Sequence, residues 1–122
     1  MALRCLIVDD NPGFLAAASE LLEREGISVV GVASSSREAL ERAEQLQPDL
    51  TLVDIDLGAE SGFDLVRQLA QDSGRRSSSV ILISTYAERD FSELIEESPA
   101  TGFMSKSELS GEAIHALLDG GA

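Results

Sequence analysis

Thr51-Leu52-Val53-Asp54-Ile55-Asp56-Leu57 is the stretch on which the reading of this chain turns. With Leu50 it makes a short apolar, β-compatible run that closes on an acid, and such a run reads as a strand buried on both faces of a parallel sheet. An acid at its end sits at the lip of the core. Three other runs have the same form. Cys5, Leu6, Ile7 and Val8 end on Asp9 and Asp10, Val80 to Ile83 end on Ser84 and Thr85, and the run around Phe103 and Met104 ends on Lys106, the only lysine of the chain. In an open α/β sheet, ligands bind outside the carboxyl ends of the strands, where the strand order reverses. The four strand ends are therefore expected to converge, with Asp54 as the reacting group.

Working outward, the intervening segments read as helices. Asn11-Pro12 supplies an N-cap and a first helical residue. Phe14, Ala18, Leu21, Leu22 and Glu25 then follow at helical spacing, and Gly26 ends the stripe. A second strand covers 27–33. Ser34 to Ser36 cap a helix with Ala39, Leu40, Ala43 and Leu46 inward, which Pro48 stops. A loop over 57–62 precedes a helix with Phe63, Val66, Leu69 and Ala70 on one side. Residues 72–79 are a polar, serine-rich turn. A short acidic helix with Phe91, Leu94 and Ile95 as its apolar edge exposes Glu88, Asp90, Glu93, Glu96 and Glu97, and Pro99 breaks it. A fifth strand covers 101–104, and a last helix, from about 110 to 118, turns Ala113, Ile114, Leu117 and Leu118 inward and leaves His115 at the surface.

These are five β-α units. Right-handed crossovers put helices on both faces, so the expected α/β architecture is a flavodoxin-like, doubly wound, five-stranded parallel sheet of order 2-1-3-4-5. Its switch point lies between the first and third strands, which places Asp9, Asp10 and Asp54 in one crevice.

At 122 residues and 43% hydrophobic composition, the chain suits one domain with a proper core and no disulfide or structural metal. No apolar run approaches the roughly 20 residues that span a bilayer, and the start leads into a strand, not a signal peptide; no membrane association and a cytoplasmic location are expected. Cys5 reads as a small buried hydrophobe. A net charge of −13 argues against direct nucleic-acid binding by this domain, since that rests on Lys and Arg neutralising phosphates.

Three carboxylates in one cleft repel one another unless protonated or given a cation. Hard oxygen donors of this kind suit Mg²⁺, which takes one or two carboxylates and completes its shell with water and phosphate oxygens. A carboxylate is also a nucleophile able to form an aspartyl phosphate. A Ser hydroxyl and a Lys ammonium would then each stabilise charge on a transferred phosphoryl group.

In this pattern the chain resembles the receiver domains of two-component response regulators, the CheY-like superfamily, over essentially its whole length. The resemblance rests on the acidic pair Asp9-Asp10, on Asp54, on Gly62 opening the third helix, on Ser84 and on Lys106. The spacings agree, with 30 residues from Asp54 to Ser84 and 22 from Ser84 to Lys106. It implies one receiver domain over 1–122, with no effector domain in this chain. It also implies that Asp54 accepts phosphate from a phosphohistidine on a sensor histidine kinase or phosphotransfer protein of a phosphorelay. By the same resemblance, Asp10, Asp54 and the backbone carbonyl of Asp56 bind Mg²⁺ directly, and Asp9 acts through metal-bound water. The resemblance further implies that Ser84 and Phe103 are the switch residues, altering the face of the fourth helix, fifth strand and fifth helix. That face would meet a downstream effector domain or protein, and it also allows a homodimer. Such a domain is a signalling module, not an enzyme beyond its own phosphorylation and dephosphorylation.

The chain departs from the family at four places. Phe103 stands where Tyr is commoner. Ser107 replaces the frequent Pro after the Lys, so a cis peptide is not expected there. Leu57-Gly58 replaces a Met-Pro turn, implying a looser loop. Asp56 and Tyr86 occupy the positions flanking the water that attacks the phosphoryl bond, and are expected to tune phosphate lifetime. Two other functions compete. Asp54-Ile55-Asp56 imitates the Asp-x-Asp of haloacid-dehalogenase-type phosphatases, though that motif normally opens its fold. A pseudo-receiver, never phosphorylated, would not need the full acid, Ser and Lys set. Taken singly, each residue also has a plain structural reading: Asp10 at a helix N-terminus, Asp54 and Ser84 in turns, Lys106 as a solvated charge.

Overall fold

The computed structural model describes residues 3–71, 79–85 and 91–120. In chain order the elements are β1 (Arg4–Val8), α1 (Pro12–Arg24), β2 (Ser28–Ala33), α2 (Ser36–Leu46), β3 (Leu50–Asp54), β4 (Asp56–Leu57), β5 (Glu60–Ser61), α3 (Gly62–Gln71), β6 (Ser79–Ser84), α4 (Ser92–Glu97), β7 (Gly102–Ser105) and α5 (Gly111–Gly120). A 3-10 turn, Lys106–Glu108, separates the last two. Five strands pair in parallel in the order β2-β1-β3-β6-β7, and β4 and β5 form a small antiparallel hairpin. Counted within the main sheet alone, this is the expected 2-1-3-4-5 order.

The alternation of side chains along the strands sorts the core into two layers. Cys5, Ile7, Leu50, Leu52, Ile81 and Ile83 face α1 and α5 through Leu15, Leu22 and Ile114. Leu6, Val8, Val53 and Leu82 face α2 and α3 through Ala39, Ala43, Phe63, Leu65 and Val66. Every residue of β3 is buried, the polar Thr51 and Asp54 included, as befits a central strand of a parallel sheet covered on both faces. A fully buried Leu or Ile is worth roughly 1.5–3 kcal/mol. The exposed pairs Arg24–Glu20 and Arg42–Glu38, at 3.9 and 4.0 Å, contribute about 0–1 kcal/mol each. The core therefore decides the fold.

Local chemistry fixes the helix ends. The Asn11 side chain accepts from the backbone N–H groups of Gly13 and Phe14, capping α1 behind Pro12. Ser35 caps α2, and Glu38 reaches back to the N–H of Ser34 at 2.7 Å. At the other end of α2, the Arg4 guanidinium donates to the carbonyls of Leu46 (2.8 Å) and Gln47 (2.9 Å), tying this helix to β1.

Four local expectations change. In α3 the buried arc runs through Gly62, Phe63, Leu65 and Val66, so Leu65 is core while Ala70, on the flank of the last turn, is exposed. At the six-residue α4 only Ile95 and the preceding Phe91, one turn apart, reach the core, and Leu94 is 47% exposed. The segment after Asp54 closes as the β4–β5 hairpin instead of remaining an open loop. Gly58 takes φ +71° in its turn, where other residues are strained. The second strand begins at Ser28, Ile27 being a buried lead-in residue. Peptide bonds among the described residues are trans, including Lys106–Ser107.

Candidate functional site

The site lies where β1, β3, β6 and β7 end. Asp9 prolongs β1, its N–H donating to the Ala33 carbonyl at 3.0 Å. Its side chain is fully buried. Oδ1 accepts from the Asn11 N–H at 2.9 Å, and Oδ2 lies 2.5 Å from the Lys106 ammonium. Oδ2 receives no well-directed hydrogen bond, so the contact is ionic in character. Asp54 ends β3 and is 5% exposed. Its Oδ1 accepts from the Asp56 N–H at 3.1 Å and its Oδ2 from Lys106 Nζ at 3.0 Å. Asp10 is exposed, and one carboxylate oxygen from each of Asp9, Asp10 and Asp54 falls within 4.8 Å of the others. The first three of the predicted acids and the lysine are thus brought together.

Close backbone approach makes this geometry available. A Cβ on Gly62 would stand 2.1 Å from the Asp54 carbonyl oxygen, so only glycine lets α3 begin against the end of β3. The Gly62 N–H also donates to the Ile55 carbonyl at 2.8 Å. The hairpin is moored at its far side, where the Glu60 carboxylate accepts from the Ser36 N–H at the start of α2, at 2.9 Å.

Electrostatics divide the partners. Burial, reinforced by the neighbouring Asp9 charge, pushes the Asp54 carboxyl up to about 6 against the opposing pull of Lys106 and the Asp56 N–H. Lys106 moves up as well, because its contacts with Asp9 and Asp54 outweigh its own burial. The two directions are compatible: Lys106 faces two carboxylates, whereas Asp54 faces one ammonium and one like charge in a drier position. Three carboxylates against one ammonium leave an excess of two negative charges. An all-oxygen donor set with that excess of negative charge fits a small, hard divalent cation.

Ser84, the last residue of β6, is buried, and its strand neighbour Ile83 is the register partner of Asp54. Phe103 is half-buried on the α2–α3 side of the sheet, paired in register with Leu82. Asp56 does not join the acidic cluster: its side chain is exposed and accepts from the Gly58 N–H at 3.1 Å. His115 is exposed and Cys5 buried, its thiol pushed up to about 12 by burial. Tyr86, Glu88, Asp90 and the serine-rich turn at 72–78 lie outside the described residues. Sequence reasoning missed Phe14, taken only as core: Lys106 Nζ lies 4.3 Å from its ring centroid.

Residues 5–119 match the sequence profile of the response regulator receiver domain. The chain belongs to that family. A Pseudomonas aeruginosa protein named as a transcriptional regulator is 32% identical over 113 residues, 93% of this chain and 54% of that protein. A two-component response regulator of the LuxR family from Aurantimonas sp. superposes with a TM-score of 0.85 at 26% identity, covering 98% of this receiver domain and 87% of that chain. A response regulator from Burkholderia pseudomallei, solved with a phosphorylated aspartic acid, calcium ion and citrate, gives 0.80 at 27% identity, covering 95% of this chain and 66% of that one. The receiver domain spans about half the length of several curated relatives it matches. Among the described residues no helix is long and apolar enough to cross a membrane.

Proposed function

We propose that this receiver domain is a phosphorylation-dependent switch in which Asp54 takes a phosphoryl group from a phosphohistidine of a sensor kinase or phosphotransfer protein. The observation that carries the reading is the Lys106 ammonium bridging Asp9 and Asp54, at 2.5 and 3.0 Å, beside a three-carboxylate cluster. Asp54 would attack phosphorus through a carboxylate oxygen, forming the O–P bond as the P–N bond to the donor imidazole breaks and its electron pair returns to the ring. Asp9, Asp10, Asp54 and the Asp56 backbone carbonyl would hold Mg²⁺, which would neutralise charge on the phosphoryl oxygens. Lys106 would take a second phosphoryl oxygen and the Ser84 hydroxyl a third.

The phosphoryl group then biases a two-state equilibrium through contacts made in only one state. Ser84 and Phe103 would carry the bias to the α4–β7–α5 face, met by an effector domain, an effector protein or a second copy. Asp56 and Tyr86 would set phosphate lifetime. The reading takes the chain as one cytoplasmic receiver domain whose output lies in another segment or protein. Relatives named as transcriptional regulators support a gene-regulatory output, while the charge of −13 keeps nucleic-acid contact away from this domain. The exposed Asp56 side chain, turned to the Gly58 N–H and outside the acidic cluster, speaks against a phosphatase-type Asp-x-Asp.

Incubation with acetyl phosphate and Mg²⁺ is expected to add one acid-labile phosphoryl group, located by mass spectrometry at Asp54. Equal labelling of Asp54→Asn would sink the assignment.

A further inference from the structure

Phe14 lies in the first turn of α1, four residues past Asp10, and is only half-buried. Its neighbour in space is the Lys106 ammonium, 4.3 Å from the ring centroid. That is well inside the ~6 Å over which the negative face of an aromatic ring attracts a cation. Lys106 is therefore held three ways, by Asp9 Oδ2, by Asp54 Oδ2 and by the Phe14 ring.

These three holds respond differently to a divalent cation. Asp9 and Asp54 are two of the three acids such an ion would draw on, so the ion competes with Lys106 for its partners. It also repels the ammonium directly. The ring offers no oxygen for a hard cation, so its attraction for Lys106 persists when the carboxylates are engaged elsewhere. A lysine carries its charge on a flexible four-carbon stem, and without another contact it would relax toward solvent.

Resting on the reading of Asp54 as phosphoacceptor, we propose that Phe14 is a positioning residue. Its ring face is the seat that keeps the Lys106 ammonium at the phosphoryl site while the metal occupies Asp9 and Asp54. The ring touches neither metal nor phosphoryl group; it acts through Lys106.

Lys106 is the sole lysine, so [¹³C]lysine labelling reports it alone. In the wild-type protein its ε-methylene protons are expected at a ring-current-shifted, upfield position that survives saturation with Mg²⁺. Phe14→Leu keeps the apolar bulk and is expected to abolish that shift. The phosphorylation rate with acetyl phosphate and Mg²⁺ is expected to fall roughly five-fold in Phe14→Leu, the worth of a cation–π contact of ordinary strength. It should fall stepwise when fluorinated phenylalanines at position 14 weaken the ring's negative face with little change of shape. This series separates the charge effect from packing and stands even if Phe14→Leu folds poorly. A flat rate across the fluorinated series, or loss of the upfield shift on adding Mg²⁺, overturns the role of Phe14. A wild-type protein that takes up no phosphate instead overturns the phosphoacceptor reading.

Discussion

Asp54 is the residue at which fold and chemistry conflict most. Its carboxyl, raised to about 6, binds a proton more tightly in the folded than in the unfolded chain, where an ordinary value near 4 applies. Ionising it therefore costs stability: its contribution is lost as pH rises from about 4 to about 6 and stays lost above. In chelator, Asp54→Asn is expected to match wild type near pH 4 and exceed it by about 2–3 kcal/mol near pH 7.5, read from urea melts at both pH values. Equal stability at the higher pH would mean that Lys106 offsets the burial completely. Lys106 is the counterweight, with its upward shift holding the ammonium charged throughout this range. Lys106→Met, leaving buried Asp9 without its cation, is expected to destabilise the metal-free protein by about 3 kcal/mol. The same change should tighten Mg²⁺ binding by isothermal titration, because the competitor for the carboxylates is gone. Unchanged affinity would show that metal and Lys106 do not share Asp9 and Asp54.

At the scale of elements, the site depends on how closely the start of α3 meets the end of β3. Gly62→Ala puts a methyl where the Asp54 carbonyl oxygen already sits, 2.1 Å away, and both partners are backbone that no rotamer change relieves. A loss of about 3 kcal/mol or more is expected, at or beyond the upper end of ordinary overpacking, together with weakened Mg²⁺ binding because Asp54 must shift. A stable Gly62→Ala protein with wild-type Mg²⁺ affinity would mean the hairpin and α3 move as a unit. Element existence was legible because β1, β3 and β6 are short, mostly apolar runs between capped, periodic helices. Burial within the elements was less so. Leu65 and Ala70 both fit a helical stripe, and which of them faces the sheet depends on where α3 starts, which Gly62 settles by contact. Leu94 and Ile95 look alike in sequence, but a six-residue helix offers only one turn of edge. The hairpin escaped notice because two-residue strands carry no periodicity.

For the whole molecule, 22 acids against 9 bases on 122 residues make self-repulsion a general cost of compactness. Added NaCl should therefore raise the melting temperature by screening. MgCl₂ at equal ionic strength should raise it further, by an amount equivalent to about 2.7 kcal/mol at a hundred times the dissociation constant. Asp10→Asn should lose that excess and keep the NaCl response, and an excess retained in this variant would place the metal elsewhere.

The sequence by itself determined the parallel sheet, its strand order and the meeting of Asp9, Asp10, Asp54 and Lys106, because strand runs, crossover handedness and strand-end chemistry are written in local residue order. Only the tertiary structure decided which atoms meet. Asp56 turns out of the cluster because its backbone enters a hairpin, the Asp54 carboxyl is pushed up because the sheet buries it beside Asp9, and Phe14 meets Lys106 because the first turn of α1 and the turn after β7 come together at the same end of the sheet. Distances between residues 92 positions apart follow from packing, and no periodicity encodes them.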